Sequence, residues 1–426
     1  MSHYKIADEN KDLSELDCQG INDLLRPYHK SMAVKTFCLC TFGKELPLHV
    51  SVSRNGNFFL RKSATKGNPH HKLCHHNSLT EQQAASMGYT LKAITKSTDD
   101  EDEHLSISLV TPLRVGAPPA PDQDESIQYR FKTGISKAIS NRMTDLGLLH
   151  LIWEKAGLHG VTSYTAEKSI WPLVRGAATG IKPRCFKSLA QGLSDILLLP
   201  LHDETKNQSA RNNAKLYAAH DKKRHVLFMA KLTPAQVAEL NFTVENTNEF
   251  NLKRLFGVKV TIYRDRRCSL LEQFNQRFHD ELSYSKKGAE IILFGMARPD
   301  LYNGHAFARI ETLVAMPVSQ KHIPFDSSYE WEFIDELVRK QRNFVKPLRY
   351  EAEKDHQVFP DFVLIDIDPH YVIEVYGRTD EDYLKRKEEK RKIYAGEDYP
   401  YKCWEWEAAT EKNLPSWLTN HPLPRK

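Results

Sequence analysis

Residues 360–377, PDFVLIDIDPHYVIEVYG, decide the fold of the C-terminal third of this 426-residue chain. Two apolar runs, FVLIDI and YVIEV, flank the turn residues DPH, and this arrangement predicts a β-hairpin. In an antiparallel pair, Asp361 at the start of the first strand comes close to Glu374 in the second half of the other. Whether the two carboxylates share a face depends on a register that the turn does not fix.

A helix is predicted on each side of this hairpin. Ahead of it, Ser327 or Ser328 can cap a helix YEWEFIDELVRKQ, whose apolar residues recur at helical spacing. Glu330 then lies one turn into the helix, and Glu332 is the second candidate for the same role. After the hairpin come a basic helix, DYLKRKEEKRKIY, and an aromatic strand, YKCWEWE. Residues 323–410 are therefore predicted to form an α/β domain.

Three carboxylates of this region, Glu330, Asp361 and Glu374, have the chemistry of a divalent-cation site. Mg²⁺, or Mn²⁺ in its place, keeps several waters and binds one or two carboxylates together with a substrate phosphate. Such an ion lowers the pKa of an attacking water and stabilises charge on the scissile phosphate. The alternative interpretation is a solvated helix glutamate beside two ordinary polar positions of a hairpin. Asp366 and Asp368 are predicted to be exposed turn carboxylates.

The same region resembles the PD-(D/E)XK superfamily of restriction-endonuclease-like nucleases. Pro360-Asp361 matches the PD, and Glu374-Val375-Tyr376 stands where the superfamily has (D/E)-X-K. More loosely, the chain resembles family 1173 of domains of unknown function, found on plasmids and integrating conjugative elements, through KPL (346–348), PDFVL (360–364), IEVYG (373–377) and an N-terminal Cys/His cluster. This resemblance implies a metal-dependent endonuclease or nicking enzyme of a mobile genetic element. Its partners would be nucleic acid, in particular DNA, and other proteins of the same element.

One residue departs from the superfamily pattern. Tyr376 stands in place of the lysine, and its phenol is neutral at pH 7 and a poor substitute for a cation at the scissile phosphate. Some branches of the superfamily take the lysine from the next helix, and EVYG followed by a basic helix resembles the very-short-patch-repair branch. Lys385 or Lys387 would then contact the phosphate. The departure leaves a second hypothesis open, a non-catalytic nucleic-acid-binding or assembly protein with a degenerate nuclease-like scaffold.

A Cys/His cluster near the N-terminus predicts a zinc module. Two spacings, Cys-x-Cys and His-x₃-Cys, bracket the strand-like segment LHVSVSRNGNFFLRK, which contains an Asn-Gly turn. Zn²⁺ takes four such ligands tetrahedrally, and a structural zinc stabilises a unit that has little core of its own. The alternative is a His-rich surface loop beside two buried thiols. The predicted ligands are Cys38, Cys40, His70 and Cys74, with His71, His75 and His76 as alternatives for the histidine.

Composition divides the rest of the chain. Residues 97–127 hold eight acidic residues against one Arg and are rich in proline, which indicates a solvated linker after the zinc module at 30–96. Residues 128–204 have the helical period in TDLGLLHLIWEKAGL and FKSLAQGLSDILLL, and residues 205–322 hold the strand-like runs VLFMAKL, VKVTIYR, EIILFGMAR and ARIETLVAMPV. The predicted fold class is α+β multidomain: a zinc-bound β-hairpin module, a helical middle region, a basic β-containing region and a C-terminal restriction-endonuclease-like α/β domain.

Two basic patches predict contacts with nucleic acid. Residues 205–231 hold seven Lys or Arg against one Asp, and the later run VTIYRDRRC adds three Arg. Clustered cations attract phosphates whatever the base sequence, although a solvated helix face has the same composition. The predicted nucleic-acid-binding residues are Lys222, Lys223, Arg224, Arg264, Arg266 and Arg267.

Other classes of protein lose their usual support. No run approaches the roughly 18–20 apolar residues of a membrane span, and the opening MSHYKIADENKDLSELD lacks the apolar stretch of a signal peptide. The chain is therefore expected in the cytoplasm without a membrane partner. Seven cysteines, an odd number, argue against a disulfide framework. The sequence has no GxxxxGK[ST], GxGxxG or GxSxG, the motifs of NTPases, dinucleotide-binding enzymes and serine hydrolases.

Overall fold

The structure, a computed structural model, describes a large part of the chain in two compact units; the described residues of the first lie before residue 84 and those of the second lie after it. Each unit has a core of its own. The described residues are 3–7, 9–12, 16, 18–29, 35–39, 45–52, 58–62, 94–99, 102–109, 113, 143–162, 169–183, 192–201, 207–240, 249–263, 278, 280–348, 359–396, 399 and 401–425.

The N-terminal unit contains an antiparallel five-stranded sheet in the order β2-β1-β3-β4-β5. Its strands are β1 (His3–Ile6), β2 (Glu9–Asp12), β3 (Thr36–Cys38), β4 (Leu46–Val52) and β5 (Phe58–Lys62), with one helix, α1 (Cys18–Leu25). The predicted hairpin is confirmed, since β4 pairs antiparallel with β5 and Val50 stands opposite Leu60. The sheet also uses two strands that lie before residue 30, so it extends beyond the predicted module.

Two strands replace the first part of the predicted acidic linker. β6 (Ile94–Asp99) and β7 (Asp102–Ile107) form an antiparallel hairpin, and β7 pairs in parallel with β9 (Ile181–Pro183). The acidic residues cluster where the hairpin turns, while Ile107 is buried. A highly charged hairpin end has the same composition as a solvated linker, and composition alone does not distinguish the two. The linker prediction is wrong for residues 97–99 and 102–107.

The middle of the chain combines helices with short strands. Helix α2 (Asp145–Lys155) begins at Thr144, whose hydroxyl accepts from the Gly147 N–H at 3.2 Å. A second helix, α3 (Ile170–Thr179), follows. The run FKSLAQGLSDILLL was predicted helical, but Leu197–Leu198 form β10. The prediction failed there because a short, fully buried apolar run is compatible with either a helix or a strand. The strands β8 (Gly160–Val161), β9 and β10 each join a different sheet.

The central sheet has six strands in the order β10-β11-β14-β15-β13-β12. The strand-like runs of residues 205–322 are confirmed as strands, and VLFMAKL matches β11 in full. The elements are α4 (Gln208–Asp221), β11 (Val226–Leu232), α5 (Pro234–Leu240), β12 (Glu249–Asn251), α6 (Lys253–Phe256), β13 (Val260–Tyr263), β14 (Glu290–Tyr302) and β15 (His305–Val318). The two longest strands, β14 and β15, form a hairpin around Asn303-Gly304, where both residues have positive φ, as a tight hairpin turn requires.

The C-terminal sheet carries the predicted carboxylates and has the order β19-β18-β17-β16-β8. Helix α7 (Ser328–Arg339) begins at Ser327, whose hydroxyl accepts from the Glu330 N–H. After it come β16 (Phe344–Val345), β17 (Phe362–Leu364), β18 (Tyr371–Val375), α8 (Glu381–Tyr394), β19 (Lys402–Trp406) and α9 (Leu414–Asn420). Neighbouring strands are antiparallel except β18 and β19, which are parallel.

The two faces of this sheet differ. One face is apolar and packs Phe362, Ile373 and Trp406 against Phe333 and Leu337 of α7. Because side chains alternate along a strand, the residues between them point to the opposite face, which α8 covers.

The fifth strand of this sheet, β8, comes from the middle of the chain, so the sheet crosses the predicted boundary at residue 204. Gly160 makes this pairing possible, because a Cβ there would clash with the Phe344 carbonyl oxygen.

In the part of the chain that the structure describes, no helix has both the length and the apolar surface needed to cross a membrane.

Candidate functional site

The hairpin brings two of the predicted carboxylates together. β17 and β18 pair antiparallel with Phe362 opposite Ile373, and the same register continued by one residue puts Asp361 opposite Glu374. Residues directly opposite each other in an antiparallel pair point to one face. The Val375 N–H donates to Asp361 Oδ2 at 2.7 Å. The predicted proximity is confirmed, and the register that the turn left open places both carboxylates on one face.

Glu374 is buried and held by two side chains of α8. Its side chain is 1% exposed, and Lys390 Nζ lies 2.9 Å from Oε1 and 2.7 Å from Oε2. The Tyr394 hydroxyl also donates to Oε1. A further bond from Lys390 Nζ, to the Phe359 carbonyl at 2.9 Å, ties α8 to the start of the hairpin. Residues three and four apart share a helix side, so α8 presents this lysine and tyrosine together.

Glu330 comes from α7 and is paired with a different lysine. Lys346, just after β16, donates to Glu330 Oε2 at 2.6 Å, and both side chains are at most one-tenth exposed. The Asp326 N–H donates to the same oxygen at 3.0 Å, while the Asp326 carboxylate lies 3.2 Å from Lys346 Nζ. The lysine also lies 5.3 Å from the centroid of the Phe362 ring, next to Asp361. Glu330 is thus an ion-pair partner within the cluster.

Burial perturbs the carboxyl groups of this cluster. Burial, followed by the negative charge of Glu374, raises the pKa of Asp361 to about 6. Burial also raises the pKa of Glu330 to about 7, although Lys346 opposes the shift, and it raises the pKa of Glu374. Burial disfavours the charged form of Lys390, but the charges of Glu374 and Asp361 and the hydrogen bond to Glu374 together outweigh it, so the pKa of Lys390 lies above its usual value. Three carboxylates share two lysines, so a negative charge is left over when all are ionised.

The ligand chemistry of this cluster suits a hard cation, but its geometry supplies fewer than three converging ligands among the described residues. Carboxylate oxygens are ligands that Mg²⁺ and Mn²⁺ prefer. Among the residues that the structure describes, however, no three His, Cys, Asp or Glu side chains converge as a set of ligands for one ion. The closest arrangement to a site is the opposed pair Asp361 and Glu374. Glu330 stands apart from that pair in its bond to Lys346.

Tyr376 belongs to a second ionic network on the same face. Its hydroxyl donates to Glu405 Oε1 at 3.1 Å, and burial raises the pKa of its phenol, so the group is neutral. Lys387 lies 4.6 Å from the centroid of the Tyr376 ring and pairs with Glu407. Arg391 bonds to Glu405 and Glu407. Tyr376 is thus turned toward β19.

The two lysines predicted to replace the missing one take other positions. Lys387 is bound to Glu407, as described above, and Lys385 is exposed on α8. Lys390, three residues beyond Lys387, is the lysine of that helix which contacts Glu374. Lys390, Tyr394 and Lys346 were not among the predicted site residues. The available signals were the basic helix itself and the KPL segment, whose lysine is Lys346.

The other three carboxylates considered in the sequence lie on α7 and on the hairpin, outside the cluster. Glu332 is exposed. Asp366 was predicted to be exposed, but it is buried in a two-pronged pair with Arg342, at 2.8 Å to Nε and 2.7 Å to Nη2. That prediction is wrong because Arg342, distant in sequence, folds back onto the turn. Asp368 is exposed, as predicted.

Only part of the remaining predicted sites is described. Cys38 lies at the end of β3 with its side chain in the N-terminal core, while Cys40, His70 and Cys74 lie outside the described residues, as do the alternative histidines. Lys222 and Lys223 are exposed after the end of α4, and Arg224 is half-buried beside them. The second basic patch, Arg264, Arg266 and Arg267, also lies outside the described residues.

Comparison with known proteins gives a family without an activity. Residues 4–409 match the model of a family described as “Protein of unknown function (DUF1173)”. No curated protein matches the chain. The matched range includes every residue of the carboxylate–lysine cluster.

Proposed function

This chain belongs to the DUF1173 family, whose name states no activity, and from the geometry of its C-terminal sheet we propose a metal-dependent endonuclease or nicking enzyme of a mobile genetic element. It would hydrolyse phosphodiester bonds of nucleic acid, in particular DNA. The mobile-element setting, and partner proteins from the same element, rest on the resemblance of the KPL, PDFVL and IEVYG segments alone.

The observation that carries this proposal is the opposed pair of Asp361 and the buried Glu374, with Lys390 against it. Two carboxylates opposite each other on a hairpin, and a lysine from the following helix, are the groups that the PD-(D/E)XK resemblance expects. The element order around them also agrees with that resemblance: a helix, three antiparallel strands, a second helix, and a strand parallel to the third.

The donor set fits Mg²⁺ or Mn²⁺ through Asp361 and Glu374. Burial, followed by the charge of Glu374, raises the pKa of Asp361, and a divalent ion would neutralise the negative charge left over in the cluster. Two carboxylates are enough for Mg²⁺, because it completes its shell with waters and phosphate oxygens. When bound, the ion would supply an activated water and stabilise charge on the phosphate.

The remaining residues have supporting roles in this proposal. Lys390 provides the cation that Tyr376 cannot, and it would transfer its contact from Glu374 to the phosphate. Glu330 holds Lys346 beside Asp361, so we assign this pair to positioning. Tyr376 and Lys387 belong to the second ionic network, through Glu405 and Glu407 of the β19 region. Lys385 is exposed and available to contact the phosphate backbone.

The test is cleavage of supercoiled plasmid with Mg²⁺, Mn²⁺ or EDTA. We expect Asp361→Asn to abolish metal-dependent nicking, and Lys390→Met to reduce its rate by about 100-fold, the loss typical of removing one group that stabilises developing charge. Asp368→Asn, at an exposed carboxylate of the same hairpin, is the matched control and should cut as the wild type does. Equal nicking by Asp361→Asn and wild type would contradict the proposed site.

A second function is favoured by one observation. Both oxygens of Glu374 accept from Lys390, and among the described residues no three ligands converge. This arrangement is expected of a nuclease-like scaffold that only binds nucleic acid or assembles with other proteins. Metal binding separates the two. A ligand that binds the folded state raises the unfolding midpoint, so Mg²⁺ or Mn²⁺ should stabilise the wild type and leave Asp361→Asn unchanged. No shift in either protein would favour the scaffold.

We also propose a structural zinc held by Cys38, Cys40, His70 and Cys74, nucleic-acid contacts by the two basic patches, and action in the cytoplasm. Elemental analysis of the purified protein tests the zinc, and less than one zinc per chain would contradict it. Lys223→Glu tests the first patch, because losing a phosphate contact lowers the salt dependence of binding.

A further inference from the structure

An open groove of about 730 Å³ lies beside the candidate site, along the edge strand of the C-terminal sheet. It is bounded by the end of α8, by β19 and by α9. Its lining is rich in aromatic side chains, among them Tyr394, Tyr399, Tyr401, Trp404 and Trp417. Tyr394 and Trp404 belong to the buried clusters of this sheet, whereas Tyr399, Tyr401 and Trp417 are only partly buried and leave ring surface open to the groove.

The rings are arranged as walls around the groove. Tyr399 contacts Tyr394 edge-to-face with centroids 5.0 Å apart, and it contacts Tyr401 in the same way at 5.8 Å. On the other side, Trp417 stacks on His421 with centroids 3.9 Å apart. Tyr399 and Tyr401 are half-buried and His421 is exposed. Such half-exposed rings offer flat apolar surface to a planar ligand.

The charges that line the groove are balanced. Glu405 and Glu407 line it, but Arg391 bonds to both and Lys387 pairs with Glu407, so their negative charges are compensated. Lys402 is exposed on β19 and also lines the groove. The two cations that line the groove, Arg391 and Lys402, therefore balance its two carboxylates, and the exposed Lys402 on the edge strand is within reach of a backbone phosphate.

The groove and the carboxylate pair share a residue. Tyr394 lines the groove, and its hydroxyl donates to Glu374. β19 is also the neighbour of β18, with Glu405 beside Glu374 in register. Adjacent strands are about 4.8 Å apart, less than the length of one nucleotide of an extended single strand. A ligand in the groove would thus lie one strand away from the proposed metal ligands.

We propose that this groove binds single-stranded nucleic acid, with an unpaired base packed among Tyr399, Tyr401 and Trp417 and the backbone phosphate at Lys402 and Arg391. The inference rests on the proposed function, for which it names the substrate class: a strand that is unpaired at or next to the point of cleavage. Stacking of bases on aromatic side chains, combined with cations along the backbone, is the general mode of single-strand binding.

The experiment measures fluorescence anisotropy of labelled oligonucleotides of about 12 nucleotides with the full chain in EDTA, where no hydrolysis occurs. The probes are single-stranded DNA, its RNA counterpart, the corresponding duplex, and a single strand with abasic sites. We expect the wild type to bind the single strands more tightly than the duplex or the abasic strand. The DNA and RNA arms show which backbone the groove prefers.

Two groove variants give the decisive comparison. Tyr401→Ala and Lys402→Glu should each weaken single-strand binding by about tenfold, and Tyr401→Ala should not weaken abasic-strand binding further. Lys402 is exposed, so its variant is expected to fold even if Tyr401→Ala does not. Matched controls are Tyr302→Ala, at an exposed tyrosine of the β14–β15 hairpin, and Lys412→Glu, at an exposed lysine outside the groove.

The outcomes separate this inference from the nuclease proposal. Unchanged single-strand affinity in both groove variants, or equal binding of the abasic strand by the wild type, would overturn the groove while leaving plasmid nicking untouched. Specific single-strand binding by a wild type that never nicks would support the groove and remove the nuclease.

Discussion

The tie made by Asn212 at the central sheet and the ties made by Glu374 and Glu330 at the C-terminal sheet use polar side chains of different kinds. In the central region Asn212 is fully buried but neutral, and its amide donates to the carbonyls of Leu199 at 2.7 Å and Phe256 at 2.9 Å. In the C-terminal region the buried groups are ionic: Glu374 with Lys390, and Glu330 with Lys346. Both sets join elements that are distant in sequence.

The two ties differ in their cost. A neutral hydrogen-bonded amide satisfies backbone groups at small cost, whereas buried ion pairs are often no more stabilising than apolar residues of the same volume. The ion pairs of Glu374 and Glu330 therefore cost stability that the amide of Asn212 does not. Such a cost favours a chemical role for the cluster.

The largest effect on this comparison is expected from breaking one buried ion pair. Lys346→Met leaves the carboxylate of Glu330 buried without its cation, and we expect the free energy of unfolding to fall by about 3–5 kcal/mol. Urea unfolding followed by tryptophan fluorescence measures it, since all six tryptophans lie in the second unit. The double variant Glu330→Gln/Lys346→Met should recover much of the loss. A single variant as stable as the wild type would contradict the pairing.

A smaller effect is expected from the neutral counterpart. Asn212→Leu removes the partner of three backbone groups of Leu199 and Phe256, and we expect a loss of about 2–3 kcal/mol from the buried groups left without bonds. The same urea experiment applies. Asn213→Leu, at an exposed position of α4, is the control. A loss for Asn212→Leu as large as that of Lys346→Met would remove the contrast between the two regions.

The smallest effect is a pH dependence confined to the charged region. The folded pKa of Asp361, about 6, lies above the usual value near 4, so its protonated form favours the fold. The stabilisation is complete below pH 4 and is lost as pH rises through 6. The variant Asp361→Asn lacks this titration.

The measurement is the difference in unfolding free energy between the wild type and Asp361→Asn in EDTA across pH 4–7. The wild type should lose stability relative to the variant over this range. A constant difference would show that Asp361 titrates normally and would contradict its enclosure beside Glu374. Asp368→Asn again serves as the exposed control.

Much of the fold could be predicted because it is local in origin. The cap at Ser327, the inward face of α7 and the strand β11 each follow from periodicity and from one nearby residue. The strands at β8, β10, β6 and β7 could not, since runs of two residues carry no period and acidic hairpin ends resemble a linker. Asp366 was misassigned for another reason: its partner Arg342 lies 24 positions away in the sequence.

The sequence by itself determined which chemistry is present: the pair Asp361 and Glu374 on a hairpin, Glu330 on the preceding helix, and a basic helix after it. The tertiary structure alone decided which lysine meets which carboxylate. Lys390, not Lys385 or Lys387, reaches Glu374, and Lys346 reaches Glu330. Both choices depend on how helices pack on the two faces of a sheet. Sequence spacing fixes neighbours along one element, but the rotation of a helix against a sheet is set by the whole core beneath it.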